Sequence, residues 1–344
     1  MLKVLVTGAA GLIGGEVCAR LASRGAQVTA MVRKTRDVRG NDGVQVESVE
    51  IVSGDVTSPL MALDPASFDI DLVIHCAASL EFDAPREMLA AVNVEGTRNA
   101  AGFAKAAGAG FLHVSTAYVC GTREGPVAEG PVPSGTTFTN NYEESKALAE
   151  AVVAESGVAF AVARPSIVLG DFESGAIRDF PSLCNVFRLM ARGKVSVFPA
   201  RADATLNLVP ICHVAQGIAR LAERFEAAQG GYFHLVTPTP MPAPELAHGV
   251  ARMPHFPDPR VVEPDALDAC GLRAAERLLL TRMTQTFGPY LARNPRFDDS
   301  RFRGVTQLQC PPTDSGWLDR LIAYGIAAGY LPNARQGSAA QAAA

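Results

Sequence analysis

Residues 2–25 read LKVLVTGAAGLIGGEVCARLASRG. The run LKVLVT (2–7) is an apolar, β-type segment and predicts a buried strand. It ends in Gly8-Ala9-Ala10-Gly11-Leu12-Ile13-Gly14, a G-x-x-G-x-x-G, and an Ala/Leu-rich helical pattern then runs to about Arg24, where Gly25 closes it. In a strand–turn–helix of this kind Gly8 permits the tight turn, Gly11 lets the backbone approach a pyrophosphate, and Gly14 allows close packing of helix on strand. The helix N-terminus then offers free N–H donors to the anion. Gly8, Ala10, Gly11, Leu12, Ile13 and Gly14 are therefore the expected phosphate-binding turn of a dinucleotide site.

The same rhythm continues outward. Strand-like runs follow at 27–32, 44–52, 71–76, 110–115 and 158–164, with helical stretches at about 86–107 and 142–156. Strands apolar on both faces and alternating with helices predict an α/β protein whose parallel sheet is covered on both sides. Right-handed crossovers make it doubly wound, a Rossmann fold. After Pro165 the pattern loosens into a helix at 182–192, another at about 212–227, a strand at 232–236, and eight prolines within 238–264. The expected organisation is a nucleotide-binding domain over 1–170 with sheet contributions from about 204–236, and a smaller C-terminal substrate-binding lobe over 171–332. The tail 333–344 is low-complexity and reads as disordered.

Composition narrows the possibilities. The 344 residues are 48% apolar and 19% charged, enough for a large core without disulfide or metal staples. With 31 Lys+Arg against 35 Asp+Glu the net charge is −4, which gives no attraction for nucleic acid. The seven cysteines are dispersed, with no C-x-x-C pair, as expected of reduced thiols in the cytoplasm. No signal-peptide layout precedes the first strand, and no apolar run reaches the ~18 residues of a membrane span, so a soluble, cytoplasmic protein is expected. His75, His113, His213 and His234 fall in strand and helix patterns without metal-ligand spacing and read as core residues, so no metal site is expected.

The second strand bears on which dinucleotide binds. It ends Ala30-Met31-Val32-Arg33-Lys34, with Arg36 and Arg39 beyond. A carboxylate at this point would bind a ribose 2′-hydroxyl; a guanidinium suits a 2′-phosphate by charge and bidentate geometry. Arg33 and Lys34 thus favour NADP(H), the plain alternative being a solvated basic loop.

Tyr142-Glu143-Glu144-Ser145-Lys146 opens a helical run, with Tyr142 and Lys146 one turn apart on one face. An ammonium beside a phenol favours the phenolate, so Lys146 is expected to lower the Tyr142 pKa and make it a usable general acid. Upstream, Thr116 follows the strand at 110–115, where ligands bind in such sheets, and its hydroxyl is placed to share a substrate oxygen with Tyr142. A capping role for Thr116 is the other reading.

Taken in order, TGAAGLIG (7–14), GDV (54–56), HCAA (75–78), NVEGTRN (93–99), VSTAYV (114–119), YEESK (142–146) and RPSIVLG (164–170) resemble the extended short-chain dehydrogenase/reductase superfamily over most of residues 1–225. The resemblance implies that Asp55 and its neighbour Val56 face the adenine, that Ala77 and Ala78 line the cofactor ribose, and that Asn93 helps to place the active-site helix. It further implies a catalytic set of Thr116, Tyr142 and Lys146, with Pro165, Ser166 and Ile167 at the nicotinamide. HVSTAYV, Y-x-x-SKALAE, RPSIV and NLVPICHVAQGI (207–218) look like the fatty acyl-CoA reductases and thioester-reductase domains within that superfamily.

The expected function is NADPH-dependent reduction of an apolar acyl thioester, CoA- or carrier-protein-linked, or of the derived aldehyde. The alternative is a ketone reductase or secondary alcohol dehydrogenase of the same superfamily with a steroid- or flavonoid-like substrate. A non-catalytic NADP sensor and an epimerase or dehydratase are further readings. The Leu-rich helical pattern near 265–283 is expected first to pack and secondarily to wall an apolar pocket, and the helices at 86–107 and 142–156 could form a homodimer interface.

Overall fold

Lys3–Thr7 (β1) leads through the glycine turn into Leu12–Ser23 (α1), as the opening stretch predicts. This computed structural model describes residues 1–35, 37–82, 84–253 and 255–333; Arg36 and all of the tail except Asn333 lie outside the described residues. The further strands are Gln27–Val32 (β2), Val49–Ser53 (β3), Leu72–His75 (β4), Gly110–Val114 (β5), Phe160–Pro165 (β6) and Tyr232–Leu235 (β7). Among the described residues they form a seven-stranded sheet of order β7-β6-β5-β4-β1-β2-β3. Every neighbouring pair in it is parallel.

The chain steps outward from β1 to β3 and then returns to lay β4 on the other side of β1. That reversal opens a crevice at the carboxyl ends of β1 and β4, where doubly wound sheets bind ligands. Register places the last residues of the two strands, Thr7 and His75, side by side. Val4, Leu5 and Val6 of β1 and Leu72, Val73 and Ile74 of β4 are buried, as a sheet covered on both faces requires.

Two helical layers cover it. One face carries α1 with the helix Ile211–Glu223, tied together by Arg20 and Arg24, whose guanidinium groups donate to Gln216 Oε1 at 3.2 and 2.8 Å. The other carries Arg86–Leu89 (α2), Gly96–Ala106 (α3) and Asn141–Glu155 (α4). Phe103, Ala100, Ala104 and Val153 from these helices pack with Leu5, Val73 and Phe111 in one core. Full burial of a phenylalanine such as Phe103 contributes about 1.5–3 kcal/mol.

The helical stretch expected at 86–107 is interrupted. Ala90–Glu95, between α2 and α3, is a wide π turn that carries Asn93. The strand expected at 44–52 is confined to β3, because Val46 N donates to Val38 O and Arg39 and Gln45 form an isolated antiparallel bridge off the sheet.

The chain divides into two compact units. The first comprises Met1–Ser166, Ile211–Val236 and Phe297–Cys310, and so holds the whole central sheet. Of the stretch 204–236 only Tyr232–Leu235 joins that sheet; Thr205–Leu206 pairs with Met241–Pro242, and Leu208–Pro210 pairs with Ile167–Leu169. The second unit comprises Ile167–Pro210, Thr237–Arg296 and the described residues from Pro311 onward. Because Ile167–Leu169 pairs away from the central sheet, the division falls after Ser166, where the sequence placed it at 170. The helical pattern read over 265–283 is two pieces: a 3-10 turn over Pro264–Cys270, a break at Gly271 with φ +63°, and a helix over Ala274–Phe287. Leu280 of that helix is buried while Leu278 is 55% exposed, so the leucines do not share one apolar face.

Candidate active site

The glycine turn is built by close packing. Gly8 has φ +66°, and a Cβ there would lie 2.7 Å from Ala77 N; a Cβ on Gly14 would lie 2.2 Å from Gly8 O. Gly11 is different. It is exposed, and a Cβ on it would meet only Gly8 O, at 3.2 Å. Its bare backbone therefore faces outward beside the start of α1, which has no side-chain cap and no acidic residue in its first turn. Half-buried Ala10, Leu12 and Ile13 complete the turn. Uncapped N–H groups at the positive end of a helix, with backbone room for close approach, fit the pyrophosphate of a dinucleotide.

Arg33 and Lys34 stand exposed just past the end of β2. Asp55 follows β3; hydrogen bonds from Thr57 N at 2.9 Å and Thr57 Oγ1 at 2.8 Å hold its carboxyl below the usual range, with the Arg33 charge adding to the effect. Val56 is buried, and its carbonyl accepts from Asn99 Nδ2 at 2.9 Å, which ties this loop to α3.

A chain of hydrogen bonds crosses from this cradle to the π turn. Ala77 N donates to Thr7 Oγ1 at 3.3 Å, and Thr7 Oγ1 lies 2.8 Å from His75 Nδ1. His75 Nε2 lies 3.2 Å from Thr97 Oγ1, which donates to Asn93 O at 2.6 Å. Because the Thr97 proton is spent on Asn93, His75 must donate from Nε2 and accept at Nδ1 from Thr7. Burial and the nearby Lys146 charge push the His75 pKa down to about 3, so the ring is neutral. Asn93 itself accepts from Ser79 N at 2.7 Å and donates to Ser79 O at 3.1 Å and Ser145 Oγ at 2.9 Å. It thus fixes both the loop after Ala77 and Ala78 and the helix α4. The sequence offered Asn93 only by resemblance; its partners Ser79, Thr97 and Ser145 were missed, as were Thr7 and His75 further along the chain of hydrogen bonds, although HCAA and NVEGTRN hold His75 and Thr97.

Tyr142 and Lys146 are both buried in the first turns of α4, whose start is capped by Asn140 Oδ1 accepting from Glu143 N at 2.8 Å. Lys146 Nζ donates to Val114 O at 2.8 Å and lies 3.3 Å from His113 Nε2. Burial pushes the Lys146 pKa down to about 8, against the Glu150 charge. Burial also raises the Tyr142 pKa above its ordinary value, and the Glu143 charge acts in the same direction. This corrects the expectation that Lys146 sets the phenol acidic: in this structure the ammonium is directed at β5 and desolvation governs the phenol. Tyr142 therefore holds its proton at neutral pH. Thr116 is buried at the N-cap of the turn Ala117–Cys120, its Oγ1 accepting from Tyr118 N at 3.2 Å, so the capping role is real and the hydroxyl proton remains to donate elsewhere.

Pro165 ends β6, and Ser166, also buried, donates from its N to Leu235 O at 3.2 Å; Ile167 opens the second unit. One residue earlier, Arg164 makes a buried bidentate pair with Glu150 of α4, at 2.9 and 2.6 Å, and its guanidinium lies 4.8 Å over the Tyr232 ring. His213 and His234 are buried, and desolvation lowers each to about 4. Among the described residues no cluster of His, Cys, Asp or Glu is arranged to hold a metal, and no helix is long and apolar enough to cross a membrane.

The sheet order, the glycine turn and the polar groups gathered at the switch point define a dinucleotide-binding fold of the extended short-chain dehydrogenase/reductase type. The chain belongs to the male sterility protein family, whose model matches residues 6–218. It is 26% identical to the ceramide reductase of Caulobacter vibrioides over 348 residues, 96% of each chain. It is 25% identical, with a TM-score of 0.81, to the terminal R domain of the myxalamid PKS-NRPS biosynthetic pathway, over 96% of this chain and 92% of that one. The glycine betaine reductase ATRR of Emericella nidulans is 28% identical over 218 residues; the match takes in 58% of this chain and 16% of that much longer protein.

Proposed function

We propose that this chain is an NADPH-dependent reductase that acts on the carbonyl of an apolar acyl thioester or of the aldehyde derived from it. The observation that carries the reading is the likeness, along 96% of the chain, to the terminal R domain of a PKS-NRPS pathway. The nicotinamide nucleotide, when bound, supplies the hydride. The turn from Gly8 to Gly14 and the start of α1 hold its pyrophosphate, Arg33 and Lys34 its 2′-phosphate, Asp55 and Val56 its adenine, and Ala77 and Ala78 its ribose. Pro165, Ser166 and Ile167 flank the nicotinamide.

The chain's own residues manage the oxygen. As negative charge grows on the carbonyl oxygen, the Thr116 hydroxyl donates a hydrogen bond and Tyr142 donates its proton. Both groups are buried, so their dipoles act at low dielectric, where each hydrogen bond counts for more than in water. Lys146, an ammonium donor, binds the ribose hydroxyls. With a thioester the hemithioacetal collapses to aldehyde and thiol.

A second reading, reduction of a ketone or oxidation of a secondary alcohol, is favoured by the full-length match to a ceramide reductase. NADPH consumption with C4 to C16 acyl-CoAs and aldehydes, set against a cyclic ketone and a secondary alcohol, separates the two. Each CH2 buried contributes about 0.8 kcal/mol, so four added carbons raise kcat/KM by up to ~10²-fold on the first reading. A flat response to chain length with turnover of the ketone overturns it.

A further inference from the structure

On α4 the residue placed to be the counter-ion of Lys146 is Glu150, one turn further along. Both of its carboxylate oxygens are engaged by Arg164. Lys146 is left with neutral acceptors on β5: Val114 O at 2.8 Å and His113 Nε2 at 3.3 Å.

An ammonium only donates, so the His113 Nε2 facing it must accept, which places the imidazole proton on Nδ1. The ring cannot swing away. It is fully buried, lies 5.6 Å from the His75 ring of β4 at an interplanar angle of 22°, and lies 6.3 Å from Phe111 at 12°. His75 is itself fixed at both nitrogens by Thr7 and Thr97. The charged or titratable groups around the pair are His75 and Cys76 from the β4 side, Tyr142 and Glu150 from α4, and Arg164 from β6. Burial holds the Cys76 thiol up at about 12, hence neutral. Burial above all, with the Lys146 and Arg164 charges, holds His113 well below its ordinary value, so its Nε2 lone pair is available at every working pH.

We propose that His113 is a positioning residue for Lys146: its Nε2 accepts from the ammonium and thereby sets both where the lysine reaches and the pH range over which it stays charged. This rests on the reading that Lys146 serves the reductase reaction. A hydrogen bond to the charged form favours that form. Without the acceptor, Lys146 loses its proton at lower pH.

The test is the pH profile of kcat/KM, with the KM for NADPH, for wild type, His113→Phe and His113→Gln, each checked by thermal melting. Wild type should lose activity on an alkaline limb near pH 8. His113→Phe should move that limb down by roughly one pH unit, the size expected for a lost hydrogen bond to a charged group. His113→Gln, whose amide oxygen can accept, should restore most of the shift. A folded Phe variant with an unmoved limb, or a Gln variant that behaves like Phe, overturns the proposal. Imidazole ¹⁵N shifts of His113 in ¹⁵N-histidine-labelled wild type give an answer even if the Phe variant does not fold: protonated Nδ1 with Nε2 accepting supports it, and protonated Nε2 overturns it. If instead wild type turns over no carbonyl substrate with NADPH, the reductase reading fails, while the ¹⁵N result still decides the geometry.

Discussion

Asn93 Nδ2 donates to Ser145 Oγ at 2.9 Å, and Ser145 Oγ donates in turn to Tyr142 O at 2.8 Å. One asparagine in a π turn thus holds the helix that carries Tyr142 and Lys146. Asn93→Ala leaves the buried Ser145 hydroxyl and the half-buried Ser79 N and O without this partner. Unsatisfied buried groups cost about 1–3 kcal/mol, so the variant should melt several degrees lower and lose turnover more than cofactor affinity. Unchanged melting and kcat would show that the asparagine does not hold the site.

That arrangement marks where sequence reading stops. The turn from Gly8 to Gly14 was legible because each glycine answers a local steric need, and the alternation of strands and helices announced the sheet. The π turn was not, since apolar spacing at 86–107 fits one continuous helix and a single wide turn leaves no periodic trace. Tyr142 and Lys146 were legible as a pair at i and i+4, but not the desolvation that raises the phenol, because burial comes from elements distant in sequence. The stretch 265–283 reads as one helix only while Gly271 is ignored. Its left-handed conformation ends the first turn and restarts the helix out of phase.

The glycine turn makes a sharper prediction. Gly8→Ala combines a positive φ with a Cβ 2.7 Å from Ala77 N, in backbone that has no flexible end to give way. Nucleotide binding, followed by fluorescence titration, should be lost together with several degrees of melting temperature. Gly11→Ala meets only Gly8 O at 3.2 Å, so it should weaken nucleotide binding with a much smaller change in melting. Equal stability losses in the two variants would contradict this division of labour.

Cofactor preference should turn on Arg33. Replacing it with aspartate removes a charged hydrogen bond worth roughly 1.5–3 kcal/mol and repels a 2′-phosphate. Dissociation constants should shift the NADPH:NADH preference at least ~10-fold toward NADH. A wild type that binds NADH as tightly as NADPH would refute the assignment.

Glu129 supplies a pH signature of stability. Its carboxylate is buried and accepts from His234 N at 2.7 Å and from the backbone N–H groups of Arg301 and Phe302, yet desolvation still raises its pKa from 4.5 to about 7. Between those values the folded state holds the proton more tightly than the unfolded state. This group's contribution is therefore full below pH 4.5 and is lost as pH rises toward 7. Melting temperatures of wild type minus Glu129→Gln, measured from pH 4 to 8, should fall with rising pH; a difference that stays level or climbs would contradict the sign.

The proton that Tyr142 holds is the centre of the proposed mechanism, and Tyr142→Phe removes it while leaving the ring. Single-turnover NADPH oxidation with a long-chain aldehyde should slow by ~10²–10⁴ in this variant, with the NADPH dissociation constant within a few-fold of wild type. A Tyr142→Phe protein that oxidises NADPH at a near-normal rate would contradict the account.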